Sequence, residues 1–135
     1  MDDRLNCANQ TEKEPILYKE LAYEIVGCFY NVYNALGPGH KEAIYQKALG
    51  IEFDNKKITY CSQKKLSIEY DGKKIGTYEP DFVIDDKIIV EIKSVLLMPQ
   101  VFEKQLFYYL RGSKYRLGYL VNFGADKIDI RRRIL

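Results

Sequence analysis

The chain has 135 residues, 47% of them hydrophobic, with 21 Lys and Arg against 19 Asp and Glu for a formal charge of +2. That length suits one compact domain and gives no reason to expect two, and the near balance of charge excludes a general electrostatic pull toward nucleic acid, leaving local patches to supply one. His40 is the one histidine and Cys7, Cys28 and Cys61 are scattered, which sets aside histidine triads, His-rich metal sites, zinc knuckles and disulfide frameworks.

Any catalysis therefore falls to carboxylates and lysines. Residues 1–13 lack hydrophobic periodicity and are expected to form a flexible tail, with residues 14–135 as a single domain. The opening "MDDRLNCANQTEKEP" is acidic and polar where a secretory leader is basic and then apolar. No apolar run approaches the roughly 20 residues of a membrane span. The expectation is a cytoplasmic protein with no membrane partner.

Leu17, Leu21, Ile25, Phe29, Val32 and Leu36 recur at three- and four-residue steps, the period of an amphipathic helix. Gly37-Pro38-Gly39 ends it, since glycine accepts the left-handed cap conformation and proline cannot continue the ladder. A second helix over "HKEAIYQKALGIEFDNKK" carries the stripe Ile44, Tyr45, Ala48, Leu49 and Phe53 and stops near Asn55. From Ile58 the period drops to two through "ITYCSQKKLSIEY", the turn Asp71-Gly72, "KKIGTYEPDFVI", an acidic turn and "KIIVEIK", the pattern of an antiparallel meander. Pro99 opens a third helix with Val101, Phe102, Leu106, Tyr109 and Leu110 facing inward, and Gly112 follows its end. "YRLGYLVNFG" and "KIDIRR" supply final strands. The predicted order is ααβββαββ, an α/β fold with helices on both faces of a mixed central sheet.

The hairpin "YEPDFVIDDKIIVEIKS" contains the chemistry. A two-residue loop Asp85-Asp86 would mix charged and apolar side chains on both faces. A three-residue loop, Asp85 to Lys87, pairs Ile84 with Ile88, Phe82 with Val90 and Pro80 with Ile92 on one unbroken apolar face. On the other face it sets Asp81 opposite Glu91, with Lys93 two residues along. Facing carboxylates repel, by roughly 0.2–1 kcal/mol where solvated. Hard Mg2+ relieves that repulsion with one or two protein carboxylates, and an adjacent ammonium can hold a water or stabilise charge on a phosphate. A surface ion pair between Asp81 and Lys93 is the plainer explanation of the same residues.

Pro80-Asp81 followed by Glu91-Ile92-Lys93 resembles the signature of the PD-(D/E)XK nuclease superfamily, and "GHKEAIY", with Gly39, Glu42 and Tyr45, resembles its GxxExxY family. "ALGPG" and the later "NFG", residues 122–124, are similar to that family as well, so the likeness spans about residues 16 to 132. The resemblance implies a restriction-endonuclease-like core in which Mg2+ or Mn2+ activates water for in-line attack on a phosphodiester; the function expected first is a nuclease acting on DNA ahead of RNA. It implies that Asp81 and Glu91, with the Ile92 carbonyl, bind the metal, that Lys93 is the catalytic lysine and that Glu42 assists through a water. Gln105 and Tyr109 match a Q-x-x-x-Y element, four residues apart on one helix face. The expectation of a homodimer rests on the same resemblance alone. Glu79-Pro80 replaces the Arg-Ala common before the hairpin aspartate, and His40 stands where an apolar residue is usual.

Other residues have plainer explanations. Tyr45 belongs to the apolar stripe, its hydroxyl able to orient Glu42 from one turn away. Arg131 to Arg133 form the one dense basic run, expected to be solvated. The twelve tyrosines suit a polar-edged core or an aromatic surface for bases or a protein. Two other functions fit the same chain: a nuclease-fold module that binds nucleic acid or protein without turnover, and a structural homodimer built on the tyrosine-rich helices.

Overall fold

The computed structural model describes residues 16–135; the tail expected over residues 1–13 lies outside them. The elements are α1 (Lys19–Leu36), α2 (Glu42–Asn55), β1 (Tyr60–Ser62), β2 (Leu66–Tyr70), β3 (Lys73–Tyr78), β4 (Phe82–Ile84), β5 (Ile88–Lys93), α3 (Gln100–Arg111), β6 (Leu117–Asn122) and β7 (Asp129–Ile134). Five strands form one sheet in the order β1-β4-β5-β6-β7, while β2 and β3 pair only with each other. The β5–β6 pair is parallel and the other neighbours are antiparallel. That is the mixed sheet of the predicted α/β class, with the helix α3 crossing between its two parallel strands.

Alternation along the strands sorts side chains to two cores. Ile84, Ile88, Val90 and Ile92 meet Ile25, Phe29, Leu49 and Phe53 of α1 and α2 on one face. Val83, Ile89 and Leu120 meet Leu106 and Leu110 of α3 on the other. Helices therefore cover both faces.

Three expectations are corrected. The meander is cut into five strands rather than three, so the order is ααβββββαββ. Gln63 turns the chain with a positive φ of 55°, and Pro80, which has no N–H to donate, interrupts the second run. These breaks let β2 and β3 leave the main sheet and pack Leu66 and Ile68 toward α3. On α2 the buried row is Tyr45, Leu49 and Phe53, four residues apart, while Ile44 is exposed. On α3 Val101 points to solvent and Glu103 is buried in its stead.

The turns follow their residues. Gly37 caps α1 at φ 74°, its N–H donating to the Tyr33 carbonyl. Asp71 and Gly72 both have positive φ, as a tight hairpin turn requires. No helix of the described residues is long and apolar enough to cross a membrane.

Candidate active site

The β4–β5 ladder runs Ile84 to Ile88, Val83 to Ile89 and Phe82 to Val90, the register of the three-residue loop. It then stops. Asp81 does not continue it as the partner of Glu91, and Pro80 does not pair with Ile92, because the chain peels away where proline removes a donor. The Asp81 side chain takes the place of the missing strand: its Oδ2 accepts the Ile92 N–H at 2.7 Å. The Asp81 carbonyl accepts the Gln63 N–H at 3.2 Å and the Gln46 side-chain amide at 3.3 Å. In an extended strand N–H and C=O of one residue leave on the same side, so the Ile92 carbonyl also emerges toward Asp81.

Glu91 follows on the α3 face. Burial pushes its carboxyl up to about 8; the Tyr78 hydroxyl that donates to it works against that shift, Asp81 reinforces it and Lys93 opposes it. Burial and the neighbouring Glu91 push the Tyr78 phenol far above its ordinary range, so it remains a donor. Its ring stacks on Tyr109 at 3.5 Å between centroids. Asp81 is thus close enough to disfavour ionisation of Glu91, with one hydroxyl and one backbone amide as the donors around the two.

Lys93, one alternation further along β5, lies with its Nζ 4.2 Å from the Phe102 ring centroid. Glu91, Lys93, Phe102, Gln105 and Tyr109 line one crevice of about 110 Å3. The structure therefore gathers Asp81, Glu91, Ile92, Lys93, Gln105 and Tyr109 at one edge of β5. Glu42 stands apart on the exposed first turn of α2. It lies one turn before Gln46, the residue that reaches Asp81, and so on the same helix face.

Tyr45 does not orient Glu42. It is fully buried, stacks on Phe123 at 4.4 Å, donates to the Gly37 carbonyl at 2.6 Å and accepts the His40 N–H at 3.0 Å. The exposed His40 closes the same loop, its ring nitrogen 3.1 Å from the Leu36 carbonyl. The basic run is not simply solvated either: Arg131 pairs with Glu103 and Asp129, and Arg133 also pairs with Glu103.

Sequence reasoning missed several contributors. Tyr78, Gln46 and Phe102 touch Glu91, Asp81 and Lys93 respectively, and no spacing rule links residues of three separate elements. Asn122 had a signal in "NFG". Its buried amide clamps the chain just past Lys93, accepting the Val95 N–H at 3.0 Å and donating to the Val95 carbonyl at 2.9 Å. Gly124 lets that loop approach, for a Cβ there would lie 2.3 Å from the Val95 nitrogen.

Among the described residues no three His, Cys, Asp or Glu side chains converge as a metal cage. The donors present are two carboxylates and a backbone carbonyl, all hard oxygen. A Mg2+-type ion needs no more protein carboxylate than that, since it retains much of its water. Two close carboxylates, one of them half-buried and biased toward its neutral form, favour a cation between them. The residues fit such an ion.

A family model described as the PD-(D/E)XK nuclease superfamily matches residues 19–134. No curated protein and no solved structure matches the chain.

Proposed function

This chain belongs to the PD-(D/E)XK nuclease superfamily, and from that premise we propose that it is a divalent-metal-dependent nuclease, of the GxxExxY type, that hydrolyses phosphodiester bonds in DNA. The observation that carries the proposal is the edge of β5, where Asp81 leaves the ladder to hold the Ile92 N–H and stands beside Glu91, with Lys93 in the same crevice.

Asp81, Glu91 and the Ile92 carbonyl would hold Mg2+ or Mn2+. The ion supplies stabilisation of negative charge at the phosphate and activation of water. Lys93 presents an ammonium to the reacting phosphate and positions the water that attacks it. Phe102 beneath it restricts where that charge can swing, through cation–π attraction. Gln105 and Tyr109 form the opposite wall, and Tyr109 additionally holds Tyr78 against Glu91. Glu42 acts from α2 through a water.

The test is calorimetric titration of Mg2+ and Mn2+ into wild type and Asp81→Asn, followed by incubation with labelled single- and double-stranded DNA. Metal binding that needs Asp81, together with cleavage, supports the proposal. One observation favours the alternative of a non-hydrolysing nucleic-acid-binding module: burial biases Glu91 toward its neutral form even though the Tyr78 hydroxyl donates to it. Metal binding absent even with DNA present would select that alternative.

A further inference from the structure

The solvent-facing surface of α3 carries a second feature. Lys104, Tyr108 and Arg111 follow one another at steps of four and three and form one row. They line a groove of about 330 Å3 between α3 and β7, with Gln100 and Arg133. At its floor the buried Glu103 pairs with Arg131 and Arg133, and Asp129 pairs with Arg131. Those four charges cancel, so Lys104 and Arg111 leave the groove with two positive charges in a chain whose formal net charge is only +2. Arg133 is held in place by Glu103 while its guanidinium, with five N–H donors, retains others. Tyr108 is 63% exposed, an aromatic face between two cations.

This row is next to the crevice row. Gln105 and Tyr109 each follow a member of it by one residue, so a path over the outside of α3 runs from the crevice across Tyr108 to Lys104 and Arg111. We propose that this path is a binding track for single-stranded DNA, in which Tyr108 stacks on a base and Lys104 and Arg111 take the phosphates beyond it. The proposal rests on the nuclease assignment of the crevice and names the form of its substrate. Exposed aromatics among cations bind single strands because every base offers a stacking face. A helix is only about 10–12 Å across, whereas duplex DNA bends over lengths near 150 base pairs. A single strand follows that curvature at far lower cost than a duplex.

The experiment is fluorescence anisotropy in EDTA with a short labelled oligothymidylate and a duplex of equal length, over a range of salt. The variants are Tyr108→Ala and the double variant Lys104→Gln/Arg111→Gln, all at exposed positions, with circular dichroism as the folding control. Wild type is expected to favour the single strand. Tyr108→Ala should weaken it roughly 5- to 150-fold, and the double variant should reduce the slope of log affinity against log salt by about 1.4. Single-strand binding that survives both changes, or a preference for the duplex, overturns the track and leaves the crevice assignment standing. No binding of either nucleic acid by wild type in EDTA also overturns the track, while the crevice assignment is decided by the metal titration.

Discussion

Asp81 and Ile92 are joined by a side chain where a strand should be: the Asp81 carboxylate accepts the Ile92 N–H at 2.7 Å just beyond the last β4–β5 rung. One residue thus satisfies the amide that the broken ladder leaves orphaned and presents a second carboxylate oxygen to Glu91. Asp81→Ala removes both functions. Leaving a buried amide unpaired costs about 1–3 kcal/mol, so thermal unfolding should fall while metal binding disappears. Asp81→Asn keeps an acceptor oxygen for Ile92 and should lose metal binding with much less change in stability. Equal stability losses in the two variants would show that the amide contact contributes little.

Lys93→Ala should lower cleavage by about 10²–10³-fold, the usual scale for one group that stabilises developing charge, with an unchanged melting curve because the side chain fills only the crevice. A single-turnover assay under saturating metal checks this. Full activity in the variant would remove Lys93 from the mechanism.

Glu91 predicts a pH dependence with a definite sign. Its ordinary carboxyl value is 4.5 and burial, aided by Asp81, raises it to about 8 in the fold. Between those values the folded chain retains a proton that the unfolded chain releases, so this residue makes stability fall as pH rises from about 4.5 to about 8 and level off above. Asp86 at the hairpin turn, lowered to about 2 by its bonds to Lys114 and Tyr115, acts in the opposite direction below pH 4 and does not overlap. Melts from pH 5 to 9 should show the decline in wild type and lose it in Glu91→Gln.

Metal affinity should follow the opposite course, rising through the same window because binding displaces the proton. Since the Tyr78 hydroxyl opposes the upward shift of Glu91, Tyr78→Phe should move the rise in metal affinity to higher pH. Calorimetry at a series of pH values measures it, and an unmoved or acid-shifted curve contradicts the role given to Tyr78.

Gly124→Ala should destabilise the chain by about 1–3 kcal/mol, the range for overpacking a close contact, since the new Cβ would strike the backbone of Ser94 and Val95. Those residues directly follow Lys93, so metal binding should weaken along with stability. Denaturant melts and calorimetry on the same variant distinguish this from a change confined to a remote loop.

Much of the fold could be read from residue order. The steps of Leu17 to Leu36 give α1, Pro99 and Gly112 bracket α3, and the inward set Ile84, Ile88, Phe82 and Val90 selects the three-residue hairpin loop. At the candidate site, the spacing of Gln105 and Tyr109 placed them on one helix face, and the alternation of β5 placed Glu91 and Lys93 on one side. The break at Pro80 was visible as a residue but not as a consequence, because the period-two pattern continues through it. Glu103 in the core of α3 was not foreseeable either: its burial depends on Arg131 and Arg133 arriving from β7.

The sequence by itself determined the helices, the hairpin register and the carboxylate-and-lysine chemistry open to this chain, because periodicity, turn conformation and residue type are set within a few neighbouring residues. Only the tertiary structure decided that β2 and β3 leave the main sheet, that Asp81 bonds to Ile92 in place of a ladder rung, that Tyr78 reaches Glu91 while stacked on Tyr109, and that Tyr45 serves the Gly37–His40 loop rather than Glu42. Those partners come from separate elements. They are chosen by which backbone groups each strand end leaves unpaired and by which faces the two cores bring together, and local pattern contains neither.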